Sequence, residues 1–207
     1  MEVIINKITL GNWKENCYLI SCEDEAWIVD PGDDFEKIIR DLNLNDYKLK
    51  GIINTHGHFD HIGAVAQIKE KYDIPFFIHS KDKRLLTQGN LYRRMVGNMA
   101  IYKTPTIDEY LDNIEYFELK THKIFIHHSP GHTNGGVCFE ICENLFAGDM
   151  LLKNNNFSFN LPGANKELMS LSLNYIFEKF KGFKIHPGHG ELFILDDDSI
   201  NKFKQIT

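Results

Sequence analysis

The sequence predicts a layered α/β fold, two β-sheets packed face to face with helices on the outside. Two observations predict it. Short apolar runs alternate along the chain with amphipathic stretches at helical spacing. The two halves of the chain also repeat one pattern: strands, then a polar loop rich in His and Asp, then a helix. A length of 207 residues fits a single domain over 1–207, and 43% apolar with 25% charged residues is an ordinary globular composition.

The elements follow in order. Val3 to Leu10, Cys17 to Ser21 and Ala26 to Val29 read as strands, being short, β-branched or aromatic, and punctuated by Gly11-Asn12, Glu23-Asp24 and Pro31-Gly32. Phe35, Ile38, Ile39 and Leu42 recur at helical spacing, with Asp33-Asp34 placed to cap that helix. Gly51 to Asn54 is an apolar strand that ends at a histidine-rich segment. The stripe Ile62, Val65, Ala66, Ile68 and Tyr72 predicts a helix from His61 to Tyr72, and Pro75 to Ile78 a further strand. Residues 89–113 carry Met95, Gly97, Met99 and Pro105 without period and predict a partly helical excursion over a pocket. In the second half, strands are expected at Glu115 to Leu119, Lys123 to His127, Val137 to Ile141, Asn144 to Phe146 and Phe183 to His186. Helices are expected at Lys166 to Phe180 and Asp198 to Lys204.

Composition excludes several function classes. A net charge of −6 argues against a nucleic-acid partner, and the basic residues of Lys81 to Arg84 and Arg93-Arg94 read as a solvated helix face. No run approaches the ~18 apolar residues of a membrane span, and the N-terminus lacks the pattern of a signal peptide. Cys17, Cys22, Cys138 and Cys142 form no Cys-x-x-Cys pair and are expected to be reduced, buried thiols in a cytoplasmic protein.

The histidines are not scattered. His56, His58 and His61 fall within six residues, with Asp60 among them, where a strand passes into a helix. Imidazole and carboxylate suit zinc, iron and manganese, and a strand-to-helix loop can turn alternate side chains to one point. Three later segments, Pro130-Gly131-His132-Thr133, Ala147-Gly148-Asp149 and Pro187-Gly188-His189-Gly190, each set one ligand-type residue beside a glycine near a strand. Together they predict a metal site at one edge of the sheets. His79, His122, His127, His128 and His186 read as structural or surface histidines, and Thr133 as packing or capping beside His132. Asp30 is a candidate acceptor for the outer N–H of a ligating histidine, or equally a turn residue before Pro31-Gly32.

In this order, H-x-H-x-D-H, Gly-His-Thr, Gly-Asp and Pro-Gly-His-Gly resemble the metallo-β-lactamase superfamily, and its short glyoxalase II-like branch in particular. Asn16-Cys17-Tyr18 and Val29-Asp30-Pro31-Gly32 extend the likeness over nearly the whole chain. The resemblance implies a four-layer αββα sandwich of two mixed sheets. It implies two divalent ions, zinc before iron or manganese. His56, His58 and His132 would bind one ion, Asp60, His61 and His189 the other, with Asp149 between them and Asp60 also orienting the attacking water.

The implied reaction is hydrolysis of a small-molecule thioester of the hydroxyacylglutathione type, or a related ester. Members with Cys at the position of Asp149, or a carboxylate at that of His58, belong to other branches. The helical C-terminal domain of full-length glyoxalase II is not expected, since only residues 190–207 follow His189. Ser158 and Asn160 stand where the branch often has Arg and Asp, and Phe157 and Phe159 are candidates for an apolar pocket wall or for core packing. A mononuclear-iron persulfide dioxygenase using His56, His132 and Asp149, and a non-catalytic metal-binding protein, are the competing readings.

Overall fold

A computed structural model describes residues 1–97, 101–153 and 161–205. The first half builds a six-stranded sheet in chain order from β1 (Ile4–Leu10), β2 (Glu15–Cys22), β3 (Glu25–Val29), β4 (Lys48–Ile53), β5 (Phe76–Ile78) and β6 (Glu109–Tyr110). The second half builds another, also in chain order, from β7 (Tyr116–Leu119), β8 (His122–His128), β9 (Val137–Ile141), β10 (Asn144–Gly148), β11 (Lys184–Pro187) and β12 (Phe193–Ile194). Both sheets are mixed. β3 to β6 run parallel and are joined by α1 (Phe35–Asp41), by α2 (Phe59–Ile62) with α3 (Val65–Tyr72), and by α4 (Lys83–Met95). β10 and β11 run parallel through α5 (Lys166–Lys179), and α6 (Asp197–Lys204) ends the chain's described helices. A parallel step needs such a crossover, whereas the antiparallel steps turn tightly.

Alternation along the strands sorts side chains into three apolar layers. Cys17 and Leu19 of β2 point to one layer with Ile38 of α1 and Val65 and Ile68 of α3. Tyr18 and Ile20 point the other way, meeting Phe139 of β9 and Phe146 of β10 between the sheets. Cys138 and Leu145 form the third layer with Met169, Leu173 and Ile176 of α5 and Phe203 of α6. Strands buried on both faces read as continuous apolar runs, which is why β3 and the buried end of β4, Gly51 to Ile53, show so little alternation in sequence. Phe139 is fully buried at the centre of the middle layer. Phe139→Ala is therefore expected to cost about 3–5 kcal/mol, read as a lower midpoint in denaturant titration.

Several expectations are corrected. The helix predicted from His61 to Tyr72 is two helices, α2 and α3, broken at Gly63-Ala64. The Ala64 N–H donates to the Pro31 carbonyl at 3.0 Å, and a Cβ at Gly63 would lie 2.1 Å from the Gly32 carbonyl oxygen. The close approach of residues 31–32 sets the break. Asp34 does sit at the start of α1, but in left-handed backbone and without capping it by its side chain; Asp33 accepts the Asp34 N–H instead. The excursion expected over 89–113 contains a full helix that begins earlier, at Lys83, and ends in the edge strand β6. Its buried stripe includes Gly89 and Arg93, which hid its period. Met99, Phe157, Ser158, Phe159 and Asn160 lie outside the described residues. The cysteines are free thiols, but Cys142 is exposed rather than buried. No described helix is long and apolar enough to cross a membrane.

Candidate metal centre

Parallel strands present their carboxyl ends at one edge of each sheet, the usual place for a site in such folds. Asp30 follows β3, the segment from Thr55 to His61 follows β4, Asp149 follows β10 and His189 follows β11. His132 comes from the β8–β9 connection. All eight predicted site residues thus meet at a single edge.

Two of the groupings they form hold the six expected histidine and aspartate ligands, and a third, of Asp30, His56 and His61, runs across both. Donor atoms of His56, His58 and His132 lie within 4.8 Å of one another, as do those of Asp60, His61 and His189. Asp149 touches both: its carboxylate is 3.5 Å from His132 Nε2, 3.5 Å from His189 Nε2 and 3.6 Å from His61 Nε2. His189 Nε2 also lies 3.3 Å from Asp60. Four donors around a zinc at 2.0–2.1 Å stand ~3.3 Å apart, so these spacings fit a metal. His56 Nε2, His61 Nε2 and Asp149 Oδ1 are buried without any hydrogen-bond partner. Buried polar atoms left so are rare, and these three belong to the two clusters and to the carboxylate between them.

The outward nitrogens explain the inward ones. Asp30 accepts the Thr55 N–H at 2.7 Å and the Thr55 hydroxyl at 2.6 Å. With its proton committed, Thr55 Oγ1 can only accept from His56 Nδ1, 3.0 Å away. His61 Nδ1 faces Asp30 at 3.1 Å, His58 Nε2 the Pro162 carbonyl at 3.1 Å and His189 Nδ1 the Trp13 carbonyl at 3.0 Å. An imidazole that donates outward from one nitrogen offers a lone pair at the other. Four histidines are thereby set, by their neighbours, as metal-ready tautomers. Asp30 is engaged by three groups, the Thr55 N–H, the Thr55 hydroxyl and His61 Nδ1.

Electrostatics agree. Burial, then His61, His58 and the other imidazoles, hold His56 well below the ordinary range, and burial pushes His132 down to about 3. Both are neutral, the form a metal needs. Burial raises Asp60 and Asp149, but the surrounding histidines outweigh it and keep both carboxyls below their usual range. Burial lowers His61, yet Asp149, Asp60 and Asp30 outweigh it and hold it up. The ion-pair partners of Asp30, Asp60 and Asp149 are histidines. This pocket collects negative charge that nothing but protons or cations can balance.

Sequence reasoning passed over several supports. Asn16 Nδ2 donates to the Pro187 carbonyl at 3.0 Å and to that of Gly190 at 2.9 Å, and Tyr18 Oη donates to Pro187 at 2.6 Å, so β2 holds the His189 loop. Gly188 has no room for a side chain: a Cβ there would lie 2.2 Å from Asp149 Oδ1. Glu15, wholly buried near His61, carries two unpartnered oxygens. Asp82 and Thr133 are joined by a hydrogen bond rather than by packing alone. The remaining histidines are structural, as read. His79 stacks on His128, His127 faces Glu140, His186 faces Asn144 and His122 faces the Met1 carbonyl.

Known proteins resemble this arrangement over most of its length. The probable metallo-hydrolase YqgX of Bacillus subtilis is 30% identical over 95% of each chain. The hydroxyacylglutathione hydrolase GloC of Haemophilus influenzae is 30% identical over 82% of each. Among solved structures, the B3 metallo-beta-lactamase BLEG-1 is 29% identical with a TM-score of 0.87, covering 99% of this chain and 100% of that one. TTHA1623, solved in a di-iron-bound form, is 31% identical with a TM-score of 0.80, covering 92% and 94%. Residues 10–189 match the family model described as the Metallo-beta-lactamase superfamily, and a match of that extent leaves one assignment: the chain belongs to that superfamily.

Proposed function

We propose that this member of a metal-dependent hydrolase family is a dinuclear thioesterase acting on acyl thioesters of the hydroxyacylglutathione type. The observation that carries the reading is the pair of donor clusters with Asp149 between them. His56, His58 and His132 would hold one divalent ion and Asp60, His61 and His189 a second, with zinc first in preference. When bound, such ions supply a nucleophilic hydroxide near neutral pH and polarise the acyl carbonyl.

The chain's own groups do the rest. Asp60, kept ionised by His61 and His189, accepts a hydrogen bond from the attacking water and orients it. Asp30 and Thr55 lock the rings of His61 and His56. Water adds to the acyl carbon, the C–S bond breaks, and the thiolate leaves to take a proton from solvent. Support for the thioester comes from GloC, and a hydrolase of small esters is the nearest variant. TTHA1623 supports iron as the alternative metal.

A mononuclear-iron oxygenase would need only His56, His132 and Asp149. The second cluster, its donor atoms within the same 4.8 Å of one another, favours the hydrolase. Metal analysis of protein purified without added metal, followed by chelation and readdition, tests this. Two zinc ions per chain, with acyl-glutathione turnover lost on chelation and restored by zinc, is the expected result. One iron per chain with oxygen uptake on a glutathione persulfide would overturn it. So would turnover of a β-lactam in place of the thioester.

A further inference from the structure

We infer that Asp82, a residue outside both donor clusters, is the positioning residue that sets the geometry of the first of them. The inference rests on the dinuclear reading above. Asp82 ends a short 3₁₀ turn (Ser80–Asp82) between β5 and α4 and is completely buried. Its carboxylate accepts three hydrogen bonds. Oδ2 takes the Gly57 N–H at 2.9 Å and the Thr133 hydroxyl at 2.7 Å, and Oδ1 takes the Gly135 N–H at 2.7 Å. These donors flank the first cluster. Gly57 lies between His56 and His58, and Thr133 follows His132. One carboxylate therefore joins the histidine loop of the first sheet to that of the second.

The fit is close enough to exclude slack. A Cβ at Gly135 would stand 2.7 Å from Asp82 Oδ1, and one at Gly57 would stand 3.0 Å from the Asp82 carbonyl oxygen. Glycine at both positions lets two backbones close on the carboxylate. The two loops also meet through the Val137 N–H, which donates to the Thr55 carbonyl at 2.9 Å, and through the ligand rings themselves, with His132 Nε2 2.9 Å from His58 Nδ1. Asp60, His61 and His189 receive nothing from Asp82. Their supports include Asp30, the Trp13 carbonyl, Asn54 Nδ2 on the His61 carbonyl and Asn16 Nδ2 on the His189 loop. Asp82 thus acts on one site and not on the other, through backbone placement and without touching a ligand ring.

Asp82→Asn keeps the shape but offers one acceptor oxygen where three donors need acceptors, and sets an amide N–H against at least one of them. Partners that orient metal ligands are worth about 10–100-fold in metal affinity. Cobalt(II) titration of apo-protein, read by visible absorption, measures each site separately. The first site stands alone in a His189→Ala background and the second in a His58→Ala background. Asp82→Asn is expected to weaken cobalt binding 10–100-fold in the first background, to change its absorption bands, and to leave the second unchanged. Thr133→Val is expected to show a smaller loss of the same kind, and Thr133→Ser to restore affinity. Thermal melts of the same apo-proteins identify any variant that fails to fold, and the Thr133 pair then carries the test. Unchanged affinity at the first site, or equal loss at both, overturns the inference. Wild-type protein that takes up no cobalt overturns the dinuclear reading, and this inference with it.

Discussion

Asp149→Ala is expected to lower thioester turnover by at least about 10³-fold in kcat/KM, on the order of 4 kcal/mol of transition-state stabilisation. The reason is position. Asp149 faces an imidazole of the first cluster, His132, and two of the second, His61 and His189. Its removal leaves each cluster with three donors and no shared anion to hold two cations side by side. Metal content should fall below two per chain in parallel with activity. Asp149→Asn should do nearly as badly, because the amide keeps the shape and loses the charge. A variant that retained two metals and more than a tenth of its turnover would refute the central place given to this carboxylate.

Asp30→Ala should show a large loss of stability, and should show it without metal. Three donors converge on this buried carboxylate: the Thr55 N–H, the Thr55 hydroxyl and His61 Nδ1. Each buried donor left unmet costs about 1–3 kcal/mol. Asp30 also has φ of +49°, a backbone shape that Asp and Asn adopt more readily than Ala. A loss on the order of 4 kcal/mol is expected, close to unfolding a domain whose stability is 5–15 kcal/mol. At about 2–4 °C per kcal/mol for this length, the apo-protein should melt roughly 10 °C lower. Asp30→Asn should fall between the two, since it keeps one acceptor and the favourable backbone. Apo-protein of Asp30→Ala that melted with the wild type would sink the prediction.

The candidate metal centre was legible in the sequence because its residues are of rare types gathered near strand ends. His56, His58, Asp60 and His61 sit together in the chain, and His132, Asp149 and His189 each stand beside a glycine. The sheets were legible for a similar reason, since β-branched runs between turn residues leave few alternatives. Asp82 was not legible. It lies in the run Lys81-Asp82-Lys83-Arg84, which reads as a solvated charged face, and its three partners are distant in sequence. The start of α4 was lost for a related reason. Arg93 occupies a core-facing position because Asp33 and the Tyr102 ring accept its charge, and no local pattern announces that compensation. The break between α2 and α3 is set by contact with residues 31–32, which a helical stripe cannot reveal.

The uninterrupted strand order of the two sheets has a consequence for how the molecule comes together. Residues before about 114 furnish His56, His58, Asp60 and His61, and those after furnish His132, Asp149 and His189. Neither half-chain owns a complete cluster. Each cluster is closed by a single histidine donated across the seam between sheets. An ion seated there acts as a rivet, favouring the docked halves by RT ln(1 + [L]/Kd), about 4 kcal/mol at a thousandfold excess over Kd. Separately expressed halves should then reassemble more tightly with metal than without it, and chelation should loosen the seam before it unravels either sheet.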